Sequence, residues 1–390
     1  MSRFDNLKIA FKDKSNKDLK RAYFLFKIIN NKTISSILMK LLKVSIVFRL
    51  PVKKIVEITI YKHFCGGTSI KTSENVINKL WKSKISTLLD FSAEGKNNDK
   101  EMYIVMNETI ASIKNAKEDE RISFAVFKPS GIANVNLLEK ISNNELLTDS
   151  ELQEKENIEK RFDKICKTAK QCNTPIFIDA EESWIQDAID DIALKMMEKY
   201  NKDKAIVYNT LQMYRIDRIK YLNYILSHSK KKKYLIGIKL VRGAYHDKEI
   251  QRAIIKNYKC PVHTEKFNTD SDYNKAISIC INNINQISLC AGTHNEKSSE
   301  LLIDLLEKNK ISIKDKRVYF SQLLGMSDNI SYNAASLGYN VVKYVPYGPV
   351  KDVIPYLIRR ADENTSIAGQ MSRELQYIIQ EKNRRRKKEN

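Results

Sequence analysis

From Leu88 onward, short apolar runs alternate with longer stretches in which apolar residues recur at helical spacing. Near-continuous apolar runs bounded by turn residues are typical of strands that are buried on both faces, as in a parallel sheet. Eight such runs occur, each followed by enough chain for a helix: residues 88–92, 122–127, 175–178, 205–208, 235–241, 287–291, 317–320 and 340–345. This alternation predicts an α/β fold, a (βα)8 barrel of the TIM type, with a doubly wound sheet as the alternative.

Residues 1–85 have a different pattern. Apolar residues recur at helical spacing at Leu19, Ala22, Phe26 and Ile29 and again over 34–60, and no β-like run is present. Charged residues and Pro51 interrupt the stretch at 34–60, so it is not expected to span a bilayer. We therefore predict an N-terminal helical arm over 1–85, a barrel domain over 86–375 and a basic C-terminal tail over 376–390.

The chain of 390 residues carries a net charge of +21, from 68 basic and 47 acidic residues. Such a balance is typical of proteins that bind nucleic acid or anionic membranes. Here the excess is spread along the chain, which favours a solvated lysine-rich surface; we predict no nucleic-acid partner and leave peripheral membrane association open. The N-terminus lacks the apolar stretch of a secretory signal, so we expect a cytoplasmic protein, free or bound to the inner face of the cytoplasmic membrane.

The six cysteines are scattered and form no CxxC pair. Neither a disulfide framework nor a zinc site is therefore predicted. His294 follows the sixth apolar run, but no second histidine or cysteine lies at ligand spacing from it. We predict no metal site, and a hydrogen-bonding role for His294.

Polar residues cluster at the ends of four consecutive apolar runs, where a barrel carries its catalytic groups. They are Asp179-Ala180-Glu181, Asn209-Thr210-Leu211-Gln212, Lys239 to Tyr245, and Gly292-Thr293-His294-Asn295. A single Asp or Asn at a strand end more often caps the next helix. Four clusters in succession are harder to explain as caps, and they predict an active site at this end of the barrel.

Arg359 and Arg360 lie in a segment, 356–364, that follows the eighth run and has a helical pattern. Neighbouring residues on a helix point about 100° apart, so both can reach one anion only if it lies close to the helix. Guanidinium groups match carboxylates bidentately. The pair therefore predicts a site for a substrate carboxylate, with an exposed pair of surface charges as the alternative.

Nine short segments, in order along the chain, resemble the proline dehydrogenase family, including the corresponding domain of bacterial proline utilisation proteins. The resemblance extends over residues 88–370, and its most specific elements are RGAY at 242–245 and YxxRRxxEN at 356–364. RGAY is the end of the segment KLVRGAY at 239–245, and the seven other segments are LDFS at 89–92, FK at 127–128, DAEE at 179–182, YNTLQ at 208–212, THN at 293–295, QLLGM at 322–326 and YVPYG at 344–348.

This resemblance implies a specific reaction. Members of the family oxidise L-proline to 1-pyrroline-5-carboxylate by transferring hydride to non-covalently bound FAD, the first step of proline degradation to glutamate. The reduced flavin then passes electrons to a membrane quinone. Little chain follows the arginine pair, so we expect a separate pyrroline-5-carboxylate dehydrogenase to act on the product.

The resemblance also implies residue roles. Lys239 and Asp179 would be the catalytic groups beside the flavin and the substrate. Substrate-binding residues would be Lys128, Asp179, Leu240, Leu323, Tyr344, Tyr356, Arg359 and Arg360. Residues that would bind FAD are Thr210, Gln212, Lys239, Arg242, Gly243, Ala244, Lys266, Thr269, Thr293, His294, Asn295 and Glu363.

Two other readings stay open at this point. Methylenetetrahydrofolate reductases share a flavin-binding barrel, but they would not need a double-arginine carboxylate clamp in this place. From a different class, the charge of +21 could mark a nucleic-acid-binding or membrane-binding protein built on a degenerate barrel. The presence of every strand-end polar cluster argues against degeneration.

Overall fold

The computed structural model describes residues 2–31, 57–92, 94–96, 98–366 and 370–389. Its strands are β1 Ser86–Phe91, β2 Ile122–Phe127, β3 Ile176–Ile178, β4 Val207–Gln212, β5 Ile236–Val241, β6 Ile287–Gly292, β7 Val318–Leu323 and β8 Val341–Tyr347. They form a closed parallel barrel in the order of the sequence. β1 pairs with β8 to complete the circle, with Leu88 opposite Tyr344. The predicted (βα)8 barrel is thus confirmed.

Successive residues of each strand point alternately into the barrel and out toward the helices. The inward positions form a buried apolar cluster, in which the rings of Phe124 and Phe177 stack with their centroids 4.5 Å apart. The outward positions, such as Ile238 and Leu289, belong to the main core between strands and helices. Toward the carboxyl ends of the strands, polar side chains replace the apolar filling of the interior.

β4 begins and ends later than the apolar run at 205–208 predicted. The strand continues through Asn209 and Gln212, both of which are buried. Asn209 donates to Asp190 Oδ1 at 2.8 Å, and Gln212 donates to the carbonyl of Glu181 at 2.6 Å. Hydrophobicity does not identify these positions as strand because their side chains are polar, although the N–H groups of both amides donate to acceptors inside the protein.

Helices cover the outside of the barrel, and their ends carry local signals. Thr148 and Glu151 form a reciprocal capping box at the start of one of them, and Asn173 ends it in the left-handed conformation. The barrel helices are Asp99–Glu118, Val135–Ser142, Asp149–Cys172, Ser183–Tyr200, Arg218–Lys232, His246–Lys256, Lys266–Asn282, Glu296–Lys308, Asp328–Ser336 and Val350–Ser366. The last of these confirms the helix predicted around the arginine pair.

Helices from the two ends of the chain pack together. Asn16–Asn30 packs against the C-terminal helix Gln370–Glu389, and both contribute to a second apolar core around Phe26. Arg385 donates to the carbonyl of Lys14 at 2.8 Å. The segment predicted as a basic tail is helical to residue 389, whereas the domain boundaries at 85/86 and 375/376 stay a prediction.

The other described N-terminal elements are short and helical. They are Leu7–Ala10, Glu57–Tyr61, Lys62–Phe64, Lys71–Ser73 and Glu74–Trp81. The apolar stretch predicted at 34–60 lies outside the described residues up to position 56. Among the residues that are described, no helix combines the length and the apolar composition that a membrane crossing requires.

Candidate active site

A buried cluster of four polar side chains occupies the carboxyl end of the barrel interior. Lys128 Nζ donates to Asp179 Oδ2 at 2.9 Å, and Lys239 Nζ donates to the other oxygen of the same carboxylate. The Tyr344 hydroxyl donates to Asp179 Oδ2 at 2.8 Å and accepts from Lys128 Nζ at 3.1 Å. These side chains come from β5 and β8 and from the residues just after β2 and β3, so closure of the barrel brings them together.

The charges in this cluster hold one another in place. Burial would raise the pKa of Asp179, but Lys128 and Lys239 outweigh burial and lower that pKa well below its usual range. Burial would lower the pKa of Lys128, but Asp179 and Asp90 outweigh it and raise that pKa well above its usual value. Asp90 Oδ2 lies 3.5 Å from Lys128 Nζ. At neutral pH, Asp179 and Lys128 are therefore fixed ions, and Asp179 carries no proton to donate.

The predicted arginine pair lies on the helix that follows β8. Arg359 Nη1 donates to Glu94 Oε1 at 2.7 Å, and its guanidinium lies 5.7 Å from the centre of the Tyr245 ring. Arg360 is only 7% exposed, and its guanidinium lies 5.2 Å from the centre of the Tyr356 ring. The alternative of an exposed surface pair is therefore wrong for Arg360.

Glu94, in the segment after β1, is a charged residue that belongs to none of the sequence motifs. Burial would raise its pKa, but Arg359 and Lys128 outweigh burial and lower it below its usual range. Glu94 therefore lies close enough to both Arg359 and Lys128 for each of these cations to lower its pKa. The position of Glu94 just beyond the first apolar run is the sequence signal that could have identified it.

Apolar side chains border the cluster on the β7 and β8 side. Leu323 packs against the inner cluster that contains Tyr344 and against the second core that contains Tyr356. Leu240 is not part of this wall: it is fully buried in the core between strands and helices. Its neighbour Lys239 points into the barrel, and successive strand residues point to opposite faces. The prediction that Leu240 contacts a substrate ring is therefore corrected.

Several residues predicted to hold a cofactor lie together on the β4 and β5 side. Gln212 accepts from the backbone N–H of Ala244 at 3.1 Å, which links the ends of the two strands. Gly243 has φ +141°, and a Cβ at this position would lie 2.4 Å from the ring of Tyr214. Any other residue would have to displace the Tyr214 ring and adopt a positive φ that favours glycine.

Thr210 lies two residues beyond Tyr208 on the same face of β4 and pairs with Lys239 in the barrel register. It is buried, and its hydroxyl has no hydrogen-bond partner among the residues that the structure describes. A buried hydroxyl without a partner costs free energy. This atom therefore marks a position at which a polar ligand group would be stabilised.

Glu181 is a second carboxyl group near the barrel mouth for which the sequence indicates no role. Burial, followed by the charge of Glu182, raises the pKa of Glu181 to about 8. Its carboxyl group accepts from the backbone N–H of Ser130 at 2.6 Å. The contact ties the end of β3 to the turn after β2.

A separate ionic group surrounds Arg242 just beyond β5. Arg242 Nε donates to Asp270 Oδ1 at 2.6 Å, and Lys266 donates to the other oxygen of Asp270. The Thr293 hydroxyl accepts from Arg242 and also from the backbone N–H of Asn295, the latter at 3.0 Å. The structure thus brings together four of the residues predicted to bind the cofactor.

The remaining predicted cofactor residues have different surroundings. Thr269 is buried in the Lys266–Asn282 helix. His294 Nδ1 lies 3.0 Å from the Ser327 hydroxyl, and burial lowers the pKa of His294 to about 3, so its imidazole is neutral. The side chain of Glu363 lies outside the described residues. Within the described part of the chain, no group of three or more His, Cys, Asp or Glu side chains is arranged to hold a metal ion.

The sequence matches known proteins over most of its length. The family model for proline dehydrogenase matches residues 73–373. The chain is 32% identical over 379 residues to proline dehydrogenase 1, mitochondrial, of Dictyostelium discoideum, covering 86% of this chain and 66% of that protein. It is 31% identical over 377 residues to proline dehydrogenase 2, mitochondrial, of Arabidopsis thaliana, covering 86% and 79%. It is also 29% identical over 322 residues to carbapenem antibiotics biosynthesis protein CarD of Pectobacterium carotovorum subsp. carotovorum, covering 83% of each.

Among solved structures, the fold is similar to that of proline utilization A from Bdellovibrio bacteriovorus, inactivated by N-propargylglycine. The TM-score is 0.73 at 19% sequence identity, over 94% of this chain and 39% of that chain. This likeness concerns the fold, and the chain spans only a part of that longer protein. The family model, by contrast, matches well over half of this chain, and its range 73–373 contains every strand of the barrel and both arginines. The chain therefore belongs to the proline dehydrogenase family.

Proposed function

We propose that this protein is an FAD-dependent proline dehydrogenase that oxidises L-proline to 1-pyrroline-5-carboxylate. The observation that carries the proposal is the buried cluster of Lys128, Asp179 and Lys239 beside the helix of Arg359 and Arg360. Such a site offers cations for a carboxylate, an anion for an amino group and an apolar wall for a small ring. Membership of the proline dehydrogenase family supports the same substrate.

Arg359 and Arg360 would bind the substrate carboxylate, with Lys128 as a third cation. Removing a carboxylate from water is costly unless cations and hydrogen bonds replace the lost solvation. Guanidinium groups do so with paired bonds of fixed geometry. Arg359 already holds the carboxylate of Glu94, so a substrate would share or displace that internal anion.

Asp179 and Lys239 would orient the reacting part of the substrate. Because Asp179 stays ionised, it would hold the amino group through charge and hydrogen bonding. Lys239 Nζ lies 5.2 Å from the centre of the Phe177 ring and 5.3 Å from that of Tyr344, which fixes its ammonium in the barrel interior. Leu323, together with the tyrosine rings, would exclude water from around the pyrrolidine ring.

The residues at the barrel mouth fit the FAD that this activity requires. The Thr210 hydroxyl, which has no partner within the described part of the chain, would hydrogen-bond a polar group of the cofactor. The turn at Gly243 would allow a close approach of the backbone, and the cations of Arg242 and Lys266 would offer charges for phosphates. Gln212, Ala244, Thr269, Thr293, His294, Asn295 and Glu363 would complete the site. FAD, when bound, supplies the hydride acceptor. The protein's own part is to hold the substrate and a fixed ammonium group at the place of reaction.

The proposed function is tested by the colour of the purified protein. We expect a yellow protein whose flavin absorbance is bleached by L-proline and restored by a soluble quinone, since substrate oxidation must reduce the cofactor. L-alanine, which lacks the ring, serves as the control and should leave the absorbance unchanged. A protein that neither carries nor takes up FAD, or whose flavin is not reduced by proline, would contradict the proposal.

We further propose that electrons pass to a membrane quinone and that a separate pyrroline-5-carboxylate dehydrogenase consumes the product. The end of the His246–Lys256 helix supports contact with a membrane surface. Ile254 and Ile255 are 73% and 80% exposed, and exposed Lys256 and Lys259 lie beside them. Apolar side chains flanked by lysines are typical of segments that lie in an anionic membrane interface.

Replacing Ile254 and Ile255 with aspartate should weaken binding to phosphatidylserine vesicles at low salt by more than about tenfold, because it removes apolar insertion and adds like charge. Sedimentation with the vesicles measures this. Leu146→Asp is the matched control, since Leu146 is 99% exposed but follows an acidic residue instead of lysines. Equal binding by all variants would remove this surface from the proposal.

A further inference from the structure

The C-terminal helix Gln370–Glu389 reaches the loop that follows β7. Glu374 Oε1 accepts a hydrogen bond from the backbone N–H of Ser327 at 2.6 Å, and the Ser327 hydroxyl lies 3.0 Å from His294 Nδ1. Ser327 has φ +48°, a left-handed conformation that a non-glycine residue keeps only when its surroundings stabilise it. By accepting from the N–H of Ser327, Glu374 helps to hold the Ser327 hydroxyl in contact with the imidazole of His294.

The same helix also contacts the first residue of the helix that follows β6, Glu296. Tyr377 donates to Glu296 Oε1 at 3.0 Å, and Arg373 Nη1 lies 3.3 Å from the same oxygen. Asn329, from the helix after β7, donates to it at 2.7 Å. Glu296 directly follows the cofactor-binding segment proposed at 293–295. The C-terminal helix therefore contacts Glu296 after β6 and Ser327 after β7, and the Asn329–Glu296 hydrogen bond links these two regions to each other.

The ionisation of the two titratable groups in this chain of contacts suits a positioning role. Burial, followed by the charge of Asp328, raises the pKa of Glu374 to about 7, and a carboxyl oxygen accepts from an N–H in either protonation state. His294 is a neutral imidazole with one N–H, because burial lowers its pKa to about 3. Which ring nitrogen carries the proton depends on the hydrogen bond made by the other. The contact with Ser327 therefore influences which ring nitrogen of His294 carries the proton.

We propose that Glu374 is a positioning residue for the cofactor site, acting through Ser327 on His294 and thereby setting the affinity for FAD. The inference rests on the proposed function, since it requires FAD to bind beside His294. Glu374 lies immediately beyond residues 73–373, the range that matches the family model. The contact is thus made by a segment outside the matched region.

Glu374→Ala should raise the dissociation constant of FAD about tenfold, measured by titrating flavin fluorescence with the apoprotein. Glu374→Gln retains an acceptor oxygen and should bind FAD as the wild type does. A second readout does not involve FAD: the chain has five histidines, and the imidazole nitrogen NMR shifts of His294 should move in Glu374→Ala but not in Glu374→Gln. Ser327→Ala should move the same His294 signals, and it serves if Glu374→Ala fails to fold.

Arg385→Ala is the matched control, because Arg385 anchors the same helix through the carbonyls of Phe11 and Lys14, on the side of the N-terminal elements. It should leave FAD affinity and the His294 shifts unchanged. Equal weakening in Arg385→Ala and Glu374→Ala, or wild-type FAD affinity in Glu374→Ala, would overturn the role of Glu374 and leave the proposed function intact. Failure of the wild type to bind FAD would instead contradict the proposed function itself.

Discussion

Asp179→Asn is expected to lower kcat for proline oxidation by about 100-fold or more, because it removes the charge that pairs with both lysines and that would orient the substrate amino group. In the structure one carboxylate binds Lys128 through Oδ2 and Lys239 through Oδ1. The amide of asparagine would present an N–H to one of two buried ammonium groups. Steady-state kinetics with L-proline and a quinone measure the loss.

The same substitution should also lower the free energy of unfolding by about 3–5 kcal/mol, the usual effect of removing one partner from a buried ion pair. The folded-state pKa of Asp179 is below its unfolded value, so its stabilising contribution is present above that value, about 3.9, and is lost as the pH falls. The difference in melting temperature between wild type and variant should therefore be constant near neutral pH and shrink in acid.

Asp190→Asn is the control that distinguishes a loss of stability from a loss of catalysis. Asp190 forms a comparably buried pair with Arg218, with Oδ2 and Nη1 2.5 Å apart, but it lies on a helix outside the barrel interior. This control should lose stability and keep its kcat per folded molecule. If both variants lost activity only in proportion to unfolding, Asp179 would have no role in the reaction beyond stability.

Arg360→Ala is expected to raise KM for L-proline by about 10- to 100-fold, since a hydrogen-bonded pair with a charged partner contributes about 1.5–3 kcal/mol. Bound FAD should stay at the wild-type level, because Arg360 would contact the substrate carboxylate. Arg360→Lys keeps the charge but loses the planar fork, so its KM should lie between those of the wild type and the alanine variant.

The flavin absorbance of each purified variant reports cofactor content, and initial rates against proline concentration give KM. A wild-type KM in Arg360→Ala would show that the carboxylate is bound elsewhere. Loss of FAD from the variant would also contradict the assignment, because it would place Arg360 in the cofactor site.

The barrel could be predicted from local patterns because burial on both faces makes each strand apolar along its whole length. The main difference between a predicted and an observed strand is at β4, where Asn209 and Gln212 extend the strand beyond its apolar run. Leu240 shows a limit of assigning residue roles from a resemblance to a family. Its assignment to the substrate wall came from the resemblance, whereas strand alternation places it and Lys239 on opposite faces.

By itself, the sequence determined the eight-stranded barrel, the end of the barrel at which polar groups collect, the helix of Arg359 and Arg360, and the resemblance to proline dehydrogenases. Each of these properties depends on residues that are neighbours in the sequence, so periodicity and position at a strand end are sufficient to predict it. Only the tertiary structure decided which charges pair. Lys128 and Lys239 meet at Asp179 across 51 and 60 residues of sequence, and Glu94 meets Arg359 across 265. Such partners depend on barrel closure and register, which no local pattern encodes.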